Sequence, residues 1–87
     1  MKNNPAIILT IEEELSFWME EFRKIGVEQI ETAKYLIRLF IKYYPNYKKI
    51  FQDTIEDIQQ KNPPNKFSFM VDALIKKMER SRSRRRV

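Results

Sequence analysis

A helix is encoded from cap to cap by residues 10–26, TIEEELSFWMEEFRKIG. Thr10 and Glu13 have the spacing of a capping box, in which each side chain accepts a hydrogen bond from a backbone amide at the helix start. Apolar residues then recur at helical spacing, and they are Leu15, Trp18, Met19, Phe22 and Ile25. Gly26 follows at the position where a left-handed residue ends many helices. The pattern predicts an amphipathic helix over about residues 11–25.

Three further amphipathic segments follow the first one. Pro45 ends the second of them, because the residue before a proline is disfavoured in the α conformation. Asn62-Pro63-Pro64-Asn65 separates the third from the fourth. The predicted helices span about residues 11–25, 28–44, 46–61 and 66–80. We therefore predict an all-α fold: a small four-helix bundle within residues 1–80, then a basic tail, residues 81–87, that is disordered or extends the last helix.

The second predicted helix is apolar around most of its circumference. Its cations form one narrow strip, made of Lys34, Arg38 and Lys42. A helix of this composition is buried on most sides, which predicts that it is the central helix of the bundle. Alternatively, part of its wide apolar arc forms a dimer interface.

The residue types of the common catalytic and metal sites are missing from this chain. Its 87 residues include no Cys and no His, which removes thiolate ligands and the usual general base. There is no glycine-rich phosphate loop and no nucleophile elbow. The carboxylates fall on the polar sides of the predicted helices, whereas an acid–base or two-metal site needs them on an apolar face. We expect a protein that is not an enzyme and binds no metal and no cofactor.

The apolar run nearest the N-terminus covers only residues 6–9. It is too short for the hydrophobic part of a signal peptide or for a membrane span. We therefore expect no membrane insertion and a cytoplasmic location.

The net charge of +5 is unevenly spread along the chain. Residues 1–31 hold three basic and seven acidic side chains, whereas residues 62–87 hold eight and two. Five of the last eight residues are arginines, and each guanidinium can bind a phosphate through two hydrogen bonds. This favours sequence-independent, salt-dependent binding to nucleic acid, either DNA or RNA. The alternative is a tail that serves solubility alone.

The candidate nucleic-acid interface joins the strip on the second helix, the basic side of the fourth helix and the tail. Its residues are Lys34, Arg38, Lys42, Lys66, Phe69, Lys76, Lys77, Arg80, Arg82, Arg84, Arg85 and Arg86. Phe69 is the one aromatic residue of the set. It could stack a base while the neighbouring cations neutralise phosphates. It could instead cover the third helix or the first residues of the chain.

A rival hypothesis places the working surface on the acidic first helix. Phe17 lies opposite the apolar face of that helix, among Glu13, Glu20 and Glu21. An aromatic ring with a charged rim can anchor a protein partner, although single exposed apolar residues are also common. The alternative function is a protein–protein interaction module, either a homodimer or an inhibitor or adaptor of another protein.

A series of short motifs occurs in order along residues 25–78. They are Gly26-Val27, Thr32-Ala33, Leu36-Ile37, Tyr44-Pro45, Ile55, Ile58, Asn65-Lys66-Phe67 and Ala73-Leu74-Ile75-Lys76-Lys77. This order resembles the helical C-terminal segments of plasmid and phage replication-initiator proteins, and DnaD-like primosomal modules are similar. The first helix has no counterpart there, and the tryptophan that often closes the last helix is missing. The resemblance implies an accessory or adaptor of a mobile element or replication system, whose last helix and tail help to bind DNA.

Overall fold

The computed structural model describes residues 10–85, and it describes side chains for residues 10–80. This part of the chain forms four α-helices and no strand, which confirms the predicted all-α class. The helices are α1 (Ile11–Lys24), α2 (Lys34–Tyr43), α3 (Tyr47–Lys61) and α4 (Lys66–Arg85). A short 3-10 helix, Ile30–Ala33, precedes α2. No helix in the described range is both long enough and apolar enough to cross a membrane.

Both ends of α1 form as their residue types predict. Thr10 Oγ1 accepts a hydrogen bond from the Glu13 amide at 3.1 Å, and Glu13 Oε1 accepts one from the Thr10 amide at 2.9 Å. At the other end, Gly26 has a φ of +98° and its amide donates to the Arg23 carbonyl at 3.0 Å. A Cβ added at Gly26 would lie 3.1 Å from Lys66 Nζ. The positive φ therefore favours glycine at this position, while the contact with the flexible end of Lys66 could be relieved by a small shift of that side chain.

The prediction that the second helix begins near residue 28 was wrong. Gln29 adopts a left-handed conformation, with a φ of 59°, and α2 starts only at Lys34. Val27, Ile30 and Ala33 are all buried. Side chains three residues apart are eclipsed in a 3-10 helix. Ile30 and Ala33 of this short segment therefore lie on the same side and are buried together.

Phe51 of α3 occupies the centre of the apolar core. Its ring is fully buried, and the centroids of four other aromatic rings lie 5.4–5.9 Å away. These rings belong to Trp18, Phe22, Phe40 and Tyr47. Tilted and edge-to-face contacts of this kind contribute beyond the area they bury. Helices α1, α2 and α3 thus meet at one side chain.

The prediction that the second helix is buried on most sides was wrong as well. Within α2 only Ile37 and Phe40 are buried, while Tyr35 and Tyr43 are 73% and 64% exposed. Tyrosine counts as apolar in a composition, yet its hydroxyl can remain in water. The part of the α2 surface that must be buried is therefore narrower than a count of its apolar residues suggests.

Helix α4 continues to Arg85, five residues beyond the predicted end at Arg80. Asn65 caps its start, because Asn65 Oδ1 accepts a hydrogen bond from the Ser68 amide at 2.9 Å. Residues 81–85 include no glycine and no proline, and arginine is a strong helix former. Of the two alternatives predicted for the tail, the structure shows the helical extension as far as Arg85. The remaining two tail residues lie outside the described range.

A polar contact joins α3 to α1. Tyr47 Oη donates a hydrogen bond of 2.7 Å to Glu14 Oε1. Glu14 is buried, so this bond offsets part of the free energy that desolvating a carboxylate costs. Burial, and next the hydrogen bond and charge of Glu14, raise the pKa of Tyr47 to about 12.

Replacing Phe51 by alanine is expected to lower the free energy of unfolding by about 3–5 kcal/mol, because the cavity lies where three helices meet. Urea denaturation followed by circular dichroism measures this loss. Phe51→Leu leaves a smaller cavity and permits the measurement if the alanine variant does not fold. Phe17→Ala is the matched control, since that ring is 51% exposed and its loss is expected to cost less than about 1 kcal/mol. Equal losses at the two positions would contradict the central role of Phe51.

Burial of Tyr47, together with its hydrogen bond to Glu14, is expected to make stability fall at alkaline pH. The pKa of Tyr47 in the folded protein, about 12, lies above its ordinary value of 10.0, so the folded state keeps a proton that the unfolded chain releases. Its contribution is therefore complete below pH 10.0 and is lost as the pH rises through about 12. Comparison of the unfolding free energy of the wild type with that of Tyr47→Phe isolates this contribution, because all other groups are shared. A difference that stays constant from pH 8 to pH 11 would show that folding does not raise the pKa of Tyr47.

Candidate nucleic-acid interface

Four of the predicted interface residues meet in one open groove between α3 and α4, which we name the α3–α4 groove. It is lined by Asp57, Lys61, Phe69, Asp72, Ala73, Lys76, Lys77 and Arg80. Four of these side chains are basic and two are acidic, which gives the groove a net positive charge. Such a lining attracts anions and raises their local concentration.

The cations of the groove differ in their partners. Lys76 Nζ lies 3.2 Å from the carboxylate of Asp72. Within residues 10–80, Lys77 and Arg80 form no salt bridge. A phosphate can therefore bind these two cations without displacing a carboxylate that pairs with either of them.

Phe69 combines the two roles that its sequence position allowed. The side chain is half-buried and packs against the apolar core, and it also lines the α3–α4 groove. Lys61 Nζ lies 5.7 Å from the centroid of its ring. A base approaching Phe69 would therefore meet a ring that a lysine already contacts.

Lys66 does not join the groove. It lies in the first turn of α4, beside Gly26 and Gln29. Arg80 is fourteen residues further along the same helix, which corresponds to about 21 Å. A single phosphate cannot contact both residues.

The predicted strip on α2 is present, but part of it is paired. Lys34, Arg38 and Lys42 follow one another at four-residue spacing, and all three are exposed. Arg38 forms a salt bridge with Glu12 of α1. Lys42 Nζ lies 5.5 Å from the centroid of the Tyr43 ring. The carboxylate of Glu12 thus lies beside the middle residue of the strip, and the ring of Tyr43 lies beside its last residue.

A row of apolar side chains runs beside this strip, and the sequence pattern did not reveal it. Tyr35, Leu39 and Tyr43 line one depression together with Arg38 and Lys42. From the pattern alone we place Tyr43 in the buried arc and assign no role to Tyr35. A repeat in the sequence could have revealed this row. A basic residue is followed by an apolar one at four-residue intervals, in Lys34-Tyr35, Arg38-Leu39 and Lys42-Tyr43. This repeat indicates two parallel rows on one helix.

The end of α2 lies close to the cations of α4. Tyr44, the residue after α2, lines a depression that also includes Lys77 and Arg80. The α2 and α4 parts of the predicted interface therefore approach each other at this end of the molecule.

The net positive charge of the chain comes from residues outside the range 10–80. Residues 10–80 contain twelve of the seventeen basic residues and all twelve acidic residues. This part of the chain consequently has a formal net charge of zero. The +5 belongs to Lys2 and to the four arginines that follow Arg80.

Three of those four arginines, Arg82, Arg84 and Arg85, belong to α4. Position 84 lies one helical turn beyond Arg80, on the same side of the helix. Their side chains, like the whole of Arg86, lie outside the described part of the structure. The backbone alone therefore establishes that the groove cations and these arginines share one helix.

On α1, Phe17 is exposed and its ring meets the ring of Trp18 edge-on, with centroids 5.0 Å apart. The carboxylates predicted to surround Phe17 all have partners on α1 or at its cap. The contacts are Thr10–Glu13, Glu20–Arg23 and Glu21–Lys24. The hydrogen bond from Lys24 to Glu21, together with the charge of Glu21, raises the pKa of Lys24. Exposed pairs of this kind contribute little to stability, so a partner could exchange them.

Comparisons of the chain with protein-family models, curated proteins and solved structures gave no match. Among the described residues, no three acidic side chains are grouped so that they could hold a metal ion.

Proposed function

We propose that this protein is a non-enzymatic accessory or adaptor that binds nucleic acid along the C-terminal half of α4. One observation carries the proposal: α4 passes without a break from the groove cations to the arginines. Residues 76–85 make up almost three turns, about 15 Å of helix. Six of these ten residues are basic and one is acidic. The helix thus concentrates cations that an irregular tail would disperse.

The spacing along the helix favours contacts with successive phosphates. Lys76, Arg80 and Arg84 lie one turn apart on one side of α4, with Lys77 at the edge of that side. Contacts to phosphate oxygens carry no information about base sequence. They release counterions from the nucleic acid, so the affinity falls as salt rises. Because residues 10–80 are neutral as a whole, binding depends on this local concentration of cations.

The resemblance to replication-initiator segments suggests a setting for this activity. Two of its motifs, Asn65-Lys66-Phe67 and the run from Ala73 to Lys77, belong to the cap and body of α4. In the resembling segments the last helix takes part in binding DNA. We accordingly place the protein in the cytoplasm, as an accessory of a replication system or mobile element.

Removing cations from α4 is expected to weaken binding to DNA and RNA of any sequence. Arg84→Ala with Arg85→Ala should lower the slope of log affinity against log salt by about two, and Lys77→Ala with Arg80→Ala should do the same. Fluorescence anisotropy with labelled single-stranded and duplex oligonucleotides, at about 50 mM and about 200 mM salt, measures both affinity and slope. Alanine preserves the helix in all four substitutions.

The matched control is Lys24→Ala with Lys48→Ala, which removes two positive charges from exposed positions outside α4. Its affinity and slope are expected to remain near those of the wild type. If the control loses as much affinity as the α4 variants, net charge rather than α4 governs binding. Absence of binding by the wild type at low salt would refute the proposal itself.

A second candidate function is self-association through α1, favoured by the exposed ring of Phe17. Aromatic anchors often supply about 2 kcal/mol or more to an interface. Phe17→Ala is therefore expected to convert a dimer into a monomer at micromolar concentration, as measured by light scattering. Ile11→Ala, at another exposed apolar position of α1, is the matched control. A wild-type mass equal to that of the monomer would exclude this candidate.

A further inference from the structure

The outward side of α2 carries two parallel rows of side chains. The basic row is Lys34, Arg38 and Lys42. The second row, which we name the aromatic row, consists of Tyr35 and Tyr43 with the aliphatic Leu39 between them. Both rows advance by four residues, so each follows the helix with a slow rotation. Arg38, Lys42 and the whole aromatic row line one shallow depression. The rows are therefore parts of one surface.

The two tyrosines of this surface contribute little to the fold. They are more exposed than the other large hydrophobic residues exposed in the described structure. Their hydroxyl groups form no hydrogen bond with the described residues. Leu39 lies half-buried between them. Tyr35 and Tyr43 are eight residues apart, about 12 Å along the helix, so each ring can accept a ligand group of its own.

The charge of α2 identifies the kind of ligand. Residues 34–43 include three basic residues and no acidic one. Lysine is depleted at the centres of protein–protein interfaces, whereas cations beside aromatic rings suit a polyanion that carries flat groups. Lys42 lies over the Tyr43 ring, which places a cation next to the surface that a base would cover.

We propose that this side of α2 is a stacking platform for single-stranded nucleic acid. Bases stack on Tyr35 and Tyr43, Leu39 forms the apolar floor between them, and the phosphates follow the basic row. The inference rests on the proposed nucleic-acid binding and adds a second surface and a strand type. In a duplex each base is already stacked and paired within the double helix, so it cannot lie on a tyrosine ring. Stacking of this kind tolerates any base.

Glu12 competes with the strand for the middle of the basic row. It forms a salt bridge with Arg38, and both side chains are about half exposed. An exposed pair of this kind is weak, so a phosphate can replace the carboxylate. Glu12→Gln removes the competitor and is expected to raise the affinity for a single strand.

The test measures anisotropy of labelled oligothymidylate, an abasic strand of the same length and a mixed-sequence duplex. Tyr35→Ala and Tyr43→Ala are each expected to weaken oligothymidylate binding by about 5- to 150-fold, the equivalent of roughly 1–3 kcal/mol per stacked base. Binding of the abasic strand and the duplex should change less than about twofold, because neither offers a base for stacking. Tyr35→Phe and Tyr43→Phe keep the ring and should retain wild-type affinity, which separates stacking from loss of the hydroxyl.

The same measurements distinguish failure of the stacking platform from failure of the proposed nucleic-acid binding. If the wild type binds none of the three probes, nucleic-acid binding itself is refuted. If the α4 variants lose affinity while the tyrosine-to-alanine variants bind oligothymidylate normally, only the platform is refuted. If these tyrosine variants bind normally but lose a dimer mass in light scattering, the surface is a contact between two copies of the chain. Equal weakening for all three probes would also overturn stacking, because it would show a general loss of charge contacts or structure.

Discussion

The packing of four aromatic rings around Phe51 is the constraint on which the rest of the structure depends. A small domain has one core and little stability to spare. Here α1 and α2 each contact the same ring of α3, so their relative positions are set together. Met70 and Leu74 add α4 to this core. Because Phe51 takes the centre, α2 needs only one narrow side for packing, and its opposite side stays in solvent.

Charge is organised separately from packing. The acidic side of α1 is balanced by its own basic residues and by Arg38, and residues 10–80 carry no net charge. A neutral body attracts polyanions only through local groups of cations, and α4 supplies such a group by extending past the core. For the proposed binding, the absence of glycine and proline between Arg80 and Arg85 would therefore matter as much as the arginines do.

Local signals were sufficient to predict much of this fold. The capping box of Thr10 and Glu13, the break at Pro45 and the break at Asn62-Pro63-Pro64-Asn65 act over a few residues, and all are in place. The 3-10 turn at Ile30–Ala33 was not predicted, because buried residues three apart also suit an α-helix. The exposure of Tyr35 depends on which helix takes the centre, and this is decided by contacts distant in sequence. The salt bridge between Glu12 and Arg38 was likewise not predicted, because it joins residues of two different helices.

The two proposed surfaces are weak singly but adjacent in space. Tyr44 directly follows the aromatic row and lines a depression with Lys77 and Arg80, so a strand bound to the α4 cations as proposed would reach the end of α2. A ligand held at one site reaches a neighbouring site at high effective concentration, which strengthens overall binding without new contacts. In the proposed binding mode, phosphate contacts at α4 would accept any nucleic acid, whereas base stacking on α2 would accept only unpaired bases. General affinity and strand preference would then arise from different helices, and the rigid core around Phe51 would hold them at a fixed distance.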